Sequence, residues 1–215
     1  MERMWMVRGD GGTLYDAFRE RGVVAVGWNQ LAAHAKAGVG RKQLIDLYLA
    51  AEPQAKHGTV VSGASQVWRF VNDIRDGDWV ITYSPPNRLY SIGRIAGPAT
   101  HHADWAEQGM SLARDVQWGA QELPRDRLGT GTKNSLGSTL TLFEVPRVAA
   151  AEVLAALQGH PAPTADDEAA EIVADPLADI DSQAVERIKD RVKELDWDDM
   201  QQLVAGVLPR YHGRF

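Results

Sequence analysis

The sequence predicts an α+β protein: a small mixed β-barrel with short flanking helices, then a linker and C-terminal helices. Three observations carry this. Short runs of β-branched and aromatic residues recur between glycine, proline and asparagine turns, as strands do. Other segments repeat apolar residues at three- and four-residue steps, as helices with one buried face do. Near residue 158 the composition shifts to Pro, Ala, Asp and Glu. About six or seven strands and three or four short helices before that point fit a curled or closed sheet better than a helical bundle.

Residues 4–8 (Met-Trp-Met-Val-Arg) read as a buried strand. Gly9-Asp10-Gly11-Gly12 follows, and then a helix carrying Leu14 and Phe18 that stops at Gly22. The glycine loop lacks the lysine and spacing of a P-loop and the Gly-x-Gly-x-x-Gly of a dinucleotide site, so it reads as a tight turn. Residues 23–27 form a second strand, and Trp28 and Asn29 come directly after it, where a large ring falls at a rim. Residues 41–51, with Leu44, Leu47 and Tyr48 on one face, read as a structural helix.

The stretch from Ser65 to Ile95 is the aromatic centre of the chain. Val67, Phe70, Val71 and Ile74 fall at i, i+3, i+4 and i+7, giving a helix with one apolar stripe and Ser62 or Ser65 as its cap. Asp76-Gly77-Asp78 ends it. Residues 79–83 then form a strand, Pro85-Pro86-Asn87 a turn, and residues 89–95 an antiparallel return strand. Trp68, Trp79, Tyr83 and Tyr90 cluster around this unit.

Residues 101–112 are irregular and contain Trp105, and residues 113–118 resume alternation. Residues 125–137 read as a flexible basic loop, 139–145 as the last strand and 148–157 as a closing helix. This places one domain at 1–158. Residues 159–182, acidic and rich in Pro and Ala, read as a linker. In 183–215, Val185, Ile188, Val192 and Leu195 mark one amphipathic helix. Trp197, Met200, Val204 and Val207, capped by Asp196, mark another. Such helices need a partner surface, and a homodimer through them is one solution.

Composition narrows the function. No apolar run approaches the roughly 20 residues that span a bilayer, and no secretory leader precedes the first strand, so a cytoplasmic location without membrane contact is expected. There are no cysteines, and the six histidines lack metal-ligand spacing, so no metal is expected. No Ser-His-Asp or paired-carboxylate constellation emerges. The net charge of -6 divides unevenly: residues 1–147 carry 17 Lys+Arg against 15 Asp+Glu, whereas residues 148–215 carry 6 against 14. A nearly neutral first part cannot hold nucleic acid by bulk charge, so any such contact must be local.

The order of these pieces carries a resemblance. Trp-Met-Val-Arg-Gly at the start, Val-Ala-Val-Gly-Trp at the second strand, Gln66-Val-Trp-Arg-Phe on the helix and Gly77-Asp78-Trp-Val-Ile-Thr-Tyr before Tyr90-Ser-Ile-Gly93-Arg-Ile resemble the N-terminal half of Mrr-like type IV restriction endonucleases. That half is similar to an EVE domain of the PUA-like superfamily, which also contains the YTH readers. Residues 3–147 carry the likeness, and residues 195–208 resemble the first helix of the Mrr-type nuclease domain. The metal-binding Asp and Glu/Gln-x-Lys of such a nuclease do not follow Leu208, so the chain is expected to be a reader truncated before its catalytic core. The one Gln-x-Lys, Gln54-Ala55-Lys56, lies in a polar loop.

The resemblance implies double-stranded DNA as partner, with a methylated or hydroxymethylated base flipped into an aromatic pocket to target an endonuclease. No cofactor is expected in this chain, and Mg2+ only in an attached nuclease domain. The alternative is an RNA reader. Trp28 and Trp68 are the expected cage walls, with Tyr83 a third wall or hydroxyl donor. Ser65, Gln66 and Asp78 are expected to read the base edge, with Asn29 and Ser84 behind them. Three of these keep a second reading: Trp68 lies one position off the apolar stripe, Tyr83 is also a core strand residue, and Asp78 also holds the turn. Arg8, Arg88, Arg94 and Lys133 are the expected phosphate contacts.

Overall fold

The computed structural model describes residues 2–159. The expected linker and C-terminal helices, from residue 160 onward, lie outside the described residues.

Strand β1 (Met4–Val7) is buried along its whole length, which is why Met-Trp-Met-Val shows no polar alternation. It pairs in parallel with β3 (Trp79–Ser84) on one side and antiparallel with β7 (Leu142–Glu144) on the other. Beyond β3 come β4 (Leu89–Ile95), β6 (Leu112–Pro124) and β2 (Val23–Val26), while the two-residue β5 (Thr100–His101) pairs β6. The sheet curls into a half-barrel. It does not close as the expected barrel would, because among the described residues β2 and β7 remain unpaired ends of the strand order.

Six helices surround the sheet among the described residues: α1 (Tyr15–Arg21), α2 (Asn29–Ala32), α3 (Arg41–Ala51), α4 (His57–Asn72), α5 (Thr130–Leu136) and α6 (Arg147–Leu157). Because successive strand residues face opposite ways, β1 feeds two cores. Trp5 and Val7 join Phe18, Val24, Val67 and Phe70 in one. Met4 and Met6 join Ile81, Tyr90, Leu123 and Val153 in the other. Each fully buried side chain of this size contributes about 1.5–3 kcal/mol relative to exposure.

Arg114 on β6 is 4% exposed and closes the C-terminal end of α4, donating to the carbonyls of Phe70 (2.9 Å), Val71 (3.3 Å) and Gly97 (2.8 Å). Burial lowers its pKa, and Asp76 and Asp78 oppose that shift.

Three expectations are corrected. Helix α4 starts at His57, so Ser62 and Ser65 are interior residues and not caps, and the Ser65 hydroxyl donates back to the Val61 carbonyl. The basic stretch 125–137 is not a flexible loop. Arg125 is 3% exposed and donates to the Tyr90 hydroxyl at 2.7 Å, and α5 is anchored through Glu152, which accepts from the Gly129 N–H and the Thr132 hydroxyl. The last strand is only three residues long.

Candidate functional site

The C-terminal ends of β1 and β2 lead into two turns, and a cleft of about 450 Å³ opens between them, within the size range of small-ligand sites. Gly9 and Asp10 line it from the turn after β1, Gly27 and Trp28 from the turn after β2. Glu107, Gln108 and Gly109 form the third side, and Thr141, just before β7, the fourth.

Glycine is what lets these segments meet. A Cβ on Gly27 would stand 2.7 Å from the Gly109 carbonyl oxygen, a distance real Cβ atoms do not tolerate. Asp10 shows the opposite: it holds a left-handed backbone (φ 45, ψ 58) between two glycines, a conformation that disfavours a side chain. Its carboxylate is steadied by the Thr13 hydroxyl at 2.8 Å.

Trp28 is braced from behind. Its indole packs on Gly63 of α4, where a Cβ would lie 2.6 Å from Nε1. Tyr48 packs on the same glycine, and its pKa is raised by burial and then by Glu52, with Trp28 and Gln30 pulling the other way. The third side is pinned as well. Trp105 stacks on His102 at 4.0 Å between ring centres, and the Arg21 guanidinium lies 4.6 Å over Trp105. Arg21 also donates to the Gln108 side chain at 2.5 Å, and the Asn29 amide donates to the Ala106 carbonyl at 3.1 Å.

The ionisable side chains lining the cleft are the carboxylates of Asp10 and Glu107. Such a site favours a ligand that presents N–H donors and repels a phosphate. Among the described residues no group of three or more His, Cys, Asp or Glu is placed to hold a metal ion, and no helix is long and apolar enough to cross a membrane.

Of the eight expected base contacts, only Trp28 lines this cleft. Asn29 follows it but points its amide to Ala106. Trp68 donates its indole N–H to the Val39 carbonyl at 3.0 Å, holding the loop between α2 and α3. Tyr83 is 3% exposed and packs on Tyr90 at 4.7 Å between ring centres, and Ser84 beside it is 4% exposed. Ser65 turns back on its own helix. Gln66 accepts the Leu142 N–H at 2.9 Å and donates to Ser62. Asp78 is a buried knot, accepting from the Trp5 indole (3.0 Å) and from the backbone N–H groups of Arg75 (3.0 Å) and Arg3 (3.3 Å). The back wall expected from α4, β3 and β4 is therefore packed protein: Tyr83 and Ser84 are buried, and Ser65, Gln66, Trp68 and Asp78 bond within the fold.

The expected phosphate contacts separate similarly. Arg8 donates to the carbonyls of Leu136 (2.9 Å) and Ser138 (3.1 Å), and Arg88 pairs with Asp126 at 2.8 Å. Arg94 pairs with Glu2 at 2.6 Å and lies 3.6 Å over the Trp79 ring, beside a second groove of about 480 Å³ over β4 and β6. Lys133 stands in the last turn of α5 with no ion pair among the described residues.

Sequence reasoning passed over Gly9, Asp10, Gly27, Glu107, Gln108, Gly109 and Thr141. The available signal was a polar residue flanked by glycines directly after a buried strand, repeated as Gly27-Trp28 after the second strand.

A family model described as a domain of unknown function (DUF8426) matches residues 5–144. No curated protein matches. Among solved structures, one similar chain is the YTH domain of the Zygosaccharomyces rouxii MRB1 protein in complex with N6-methyladenosine RNA. It is 12% identical, with a TM-score of 0.37, and the match covers 71% of this chain and 84% of that one.

Proposed function

The chain belongs to the DUF8426 family of domains of unknown function, and we propose that it is a modified-base reader, holding one extruded nucleobase against Trp28 in the cleft between the β1 and β2 turns. The observation that carries this reading is the cleft itself. It is sized for one small ligand and walled by an indole whose position is fixed from behind, with backbone and carboxylate acceptors around it.

The energetics suit that task. Stacking on an aromatic ring contributes about 1–3 kcal/mol per base, and taking a base out of a duplex costs a few kcal/mol, so stacking alone does not suffice. The remainder must come from the base edge. Asp10 and Glu107 accept N–H donors, and the backbone around Gly9 and Gly109 lies close enough for direct approach. Trp68, Tyr83, Ser65, Gln66, Asp78, Asn29 and Ser84 support the cleft through the fold instead of touching the base.

Double-stranded DNA carrying a methylated or hydroxymethylated base is the proposed partner, and targeting of an attached restriction endonuclease the proposed purpose. Any Mg2+ would serve that nuclease. Binding of the purified chain to oligonucleotides with methylated or hydroxymethylated cytosine, or N6-methyladenine, is expected to exceed binding to unmodified ones. Trp28→Ala is expected to weaken the modified complex by about 5- to 150-fold, the equivalent of one lost stack. Matched RNA competitors separate DNA from RNA reading, since only RNA offers a 2′-hydroxyl. Equal binding to modified and unmodified strands by the wild-type chain would overturn the reading.

A further inference from the structure

A base in an acidic cleft must carry its phosphates elsewhere. Resting on the reader assignment above, we propose that the phosphodiester backbone leaves the cleft across the loop joining α2 to α3, where Lys36 and Arg41 contact phosphates and Lys42 adds charge beside them.

The acidic side chains of the cleft, Asp10 and Glu107, come from the turn after β1 and from the segment ending at Gly109. Trp28 comes from a stretch of another kind: residues 21–45 contain no Asp or Glu, yet carry Arg21, Lys36, Arg41 and Lys42. Residues 79–103 are equally free of acid, but their Arg88 and Arg94 are paired with Asp126 and Glu2. Trp28 leads directly into α2, and the loop begins where α2 ends. Lys36 and Arg41 are exposed and have no ion pair among the described residues. Lys42 pairs only with Asp46, one turn on, at 87% and 58% side-chain exposure, a contact that contributes little in water.

Other exposed cations differ. Arg75, Arg127, Lys56 and Arg147 each have a carboxylate within four positions in the chain. The Arg side chains first expected to touch phosphate are committed to protein partners.

The loop is also held in shape, which a phosphate track requires and a solvated loop does not. Val39 N–H closes a turn onto the Lys36 carbonyl at 3.0 Å. Asn72 accepts the Gly38 N–H at 2.7 Å, and Trp68 donates to the Val39 carbonyl. Arg41 and Lys42 stand in the first turn of α3, where the helix dipole disfavours cations, so helix stability does not account for them.

The test uses the full chain and the double variant Lys36→Gln/Arg41→Gln, titrated with modified and unmodified oligonucleotides across a salt series. Duplex and single-stranded arms, in DNA and RNA, identify whose backbone it is. Losing two phosphate contacts is expected to flatten the slope of log K against log salt by about 1.8 on a duplex or 1.4 on a single strand. Affinity is expected to fall for modified and unmodified strands alike, leaving their ratio unchanged. The control Arg75→Gln/Arg127→Gln is expected to keep the wild-type slope. An unchanged slope in the first variant, or an equal drop in the control, overturns the proposal. If the wild-type chain binds modified and unmodified strands equally, the cleft reading fails, while the slopes still decide whether the loop binds phosphate.

Discussion

The stretch from α4 through β4 and the rim of the cleft use their residues in opposite ways. The first holds Trp68, Trp79, Tyr83 and Tyr90, yet the polar groups expected to read a base bond inside the protein: Asp78 to Trp5 and two backbone N–H groups, Gln66 to Leu142, Trp68 to Val39. The rim is built from glycines, one strained aspartate and one tryptophan, and opens to solvent. Aromatic density thus marks where this fold is cemented. The binding surface lies where two buried strands end and glycine lets three segments approach one another.

By that contrast, changes in the first region are expected to lower stability and leave base discrimination alone, while changes at the rim do the reverse. Asp78→Ala is the strongest probe of the first half. It strips the acceptor from the Trp5 indole and from the N–H groups of Arg3 and Arg75, at a residue 6% exposed. Unsatisfied buried donors make this a loss of about 3 kcal/mol, or a Tm lowered by about 6–12 °C in thermal unfolding. Below the melting range the ratio of modified to unmodified binding is expected to match wild type. A lost ratio with an unchanged Tm would make Asp78 an edge reader after all.

Asp10→Gly probes the second half, with a smaller effect. Glycine relieves the left-handed backbone but loosens the unfolded chain less favourably, by about 0.5–1 kcal/mol, so the two roughly cancel and Tm should hold. The carboxylate that would accept from the base is gone. A hydrogen bond to a charged group is worth about 1.5–3 kcal/mol, so modified-base affinity is expected to drop at least tenfold. Asp10→Asn keeps one acceptor and should lie between. A Tm collapse in Asp10→Gly with intact discrimination would place Asp10 among the structural residues.

Much of the fold was legible because its signals are local. Val67, Phe70 and Val71 are buried on α4 and Ile74 just beyond its end, Gly22 takes the left-handed cap of α1, and residues 79–95 form the antiparallel hairpin their turn sequence implies. Arg125–Gly137 misled because Arg and Gly read as solvated loop, whereas Arg125 enters the core to meet Tyr90, a partner 35 positions away. The cleft was legible in one residue, Trp28, for a local reason: it is the ring immediately after a buried strand. Asp10, Glu107 and Thr141 come together only through the β1–β3 and β1–β7 pairing and the Gly27–Gly109 contact. No spacing along the chain encodes those contacts.

Trp68 is where the two regions nearly touch, since it sits on the same helix as Gly63, which supports Trp28. Trp68→Phe keeps a ring in place and removes only the indole donor to Val39. One hydrogen bond contributes about 1 kcal/mol, and Asn72 still reaches the same carbonyl at 3.5 Å, so the Tm shift is expected to be about 2–4 °C or less. The informative readout is amide hydrogen exchange at Gly38 and Val39, expected to speed up as the α2–α3 loop loses its tether. Phosphate affinity should weaken slightly with it, while the modified-to-unmodified ratio stays constant. If that ratio falls by the factor seen for Trp28→Ala, Trp68 is a wall of the cleft, and the boundary between cemented core and open rim has been drawn one helix turn too early.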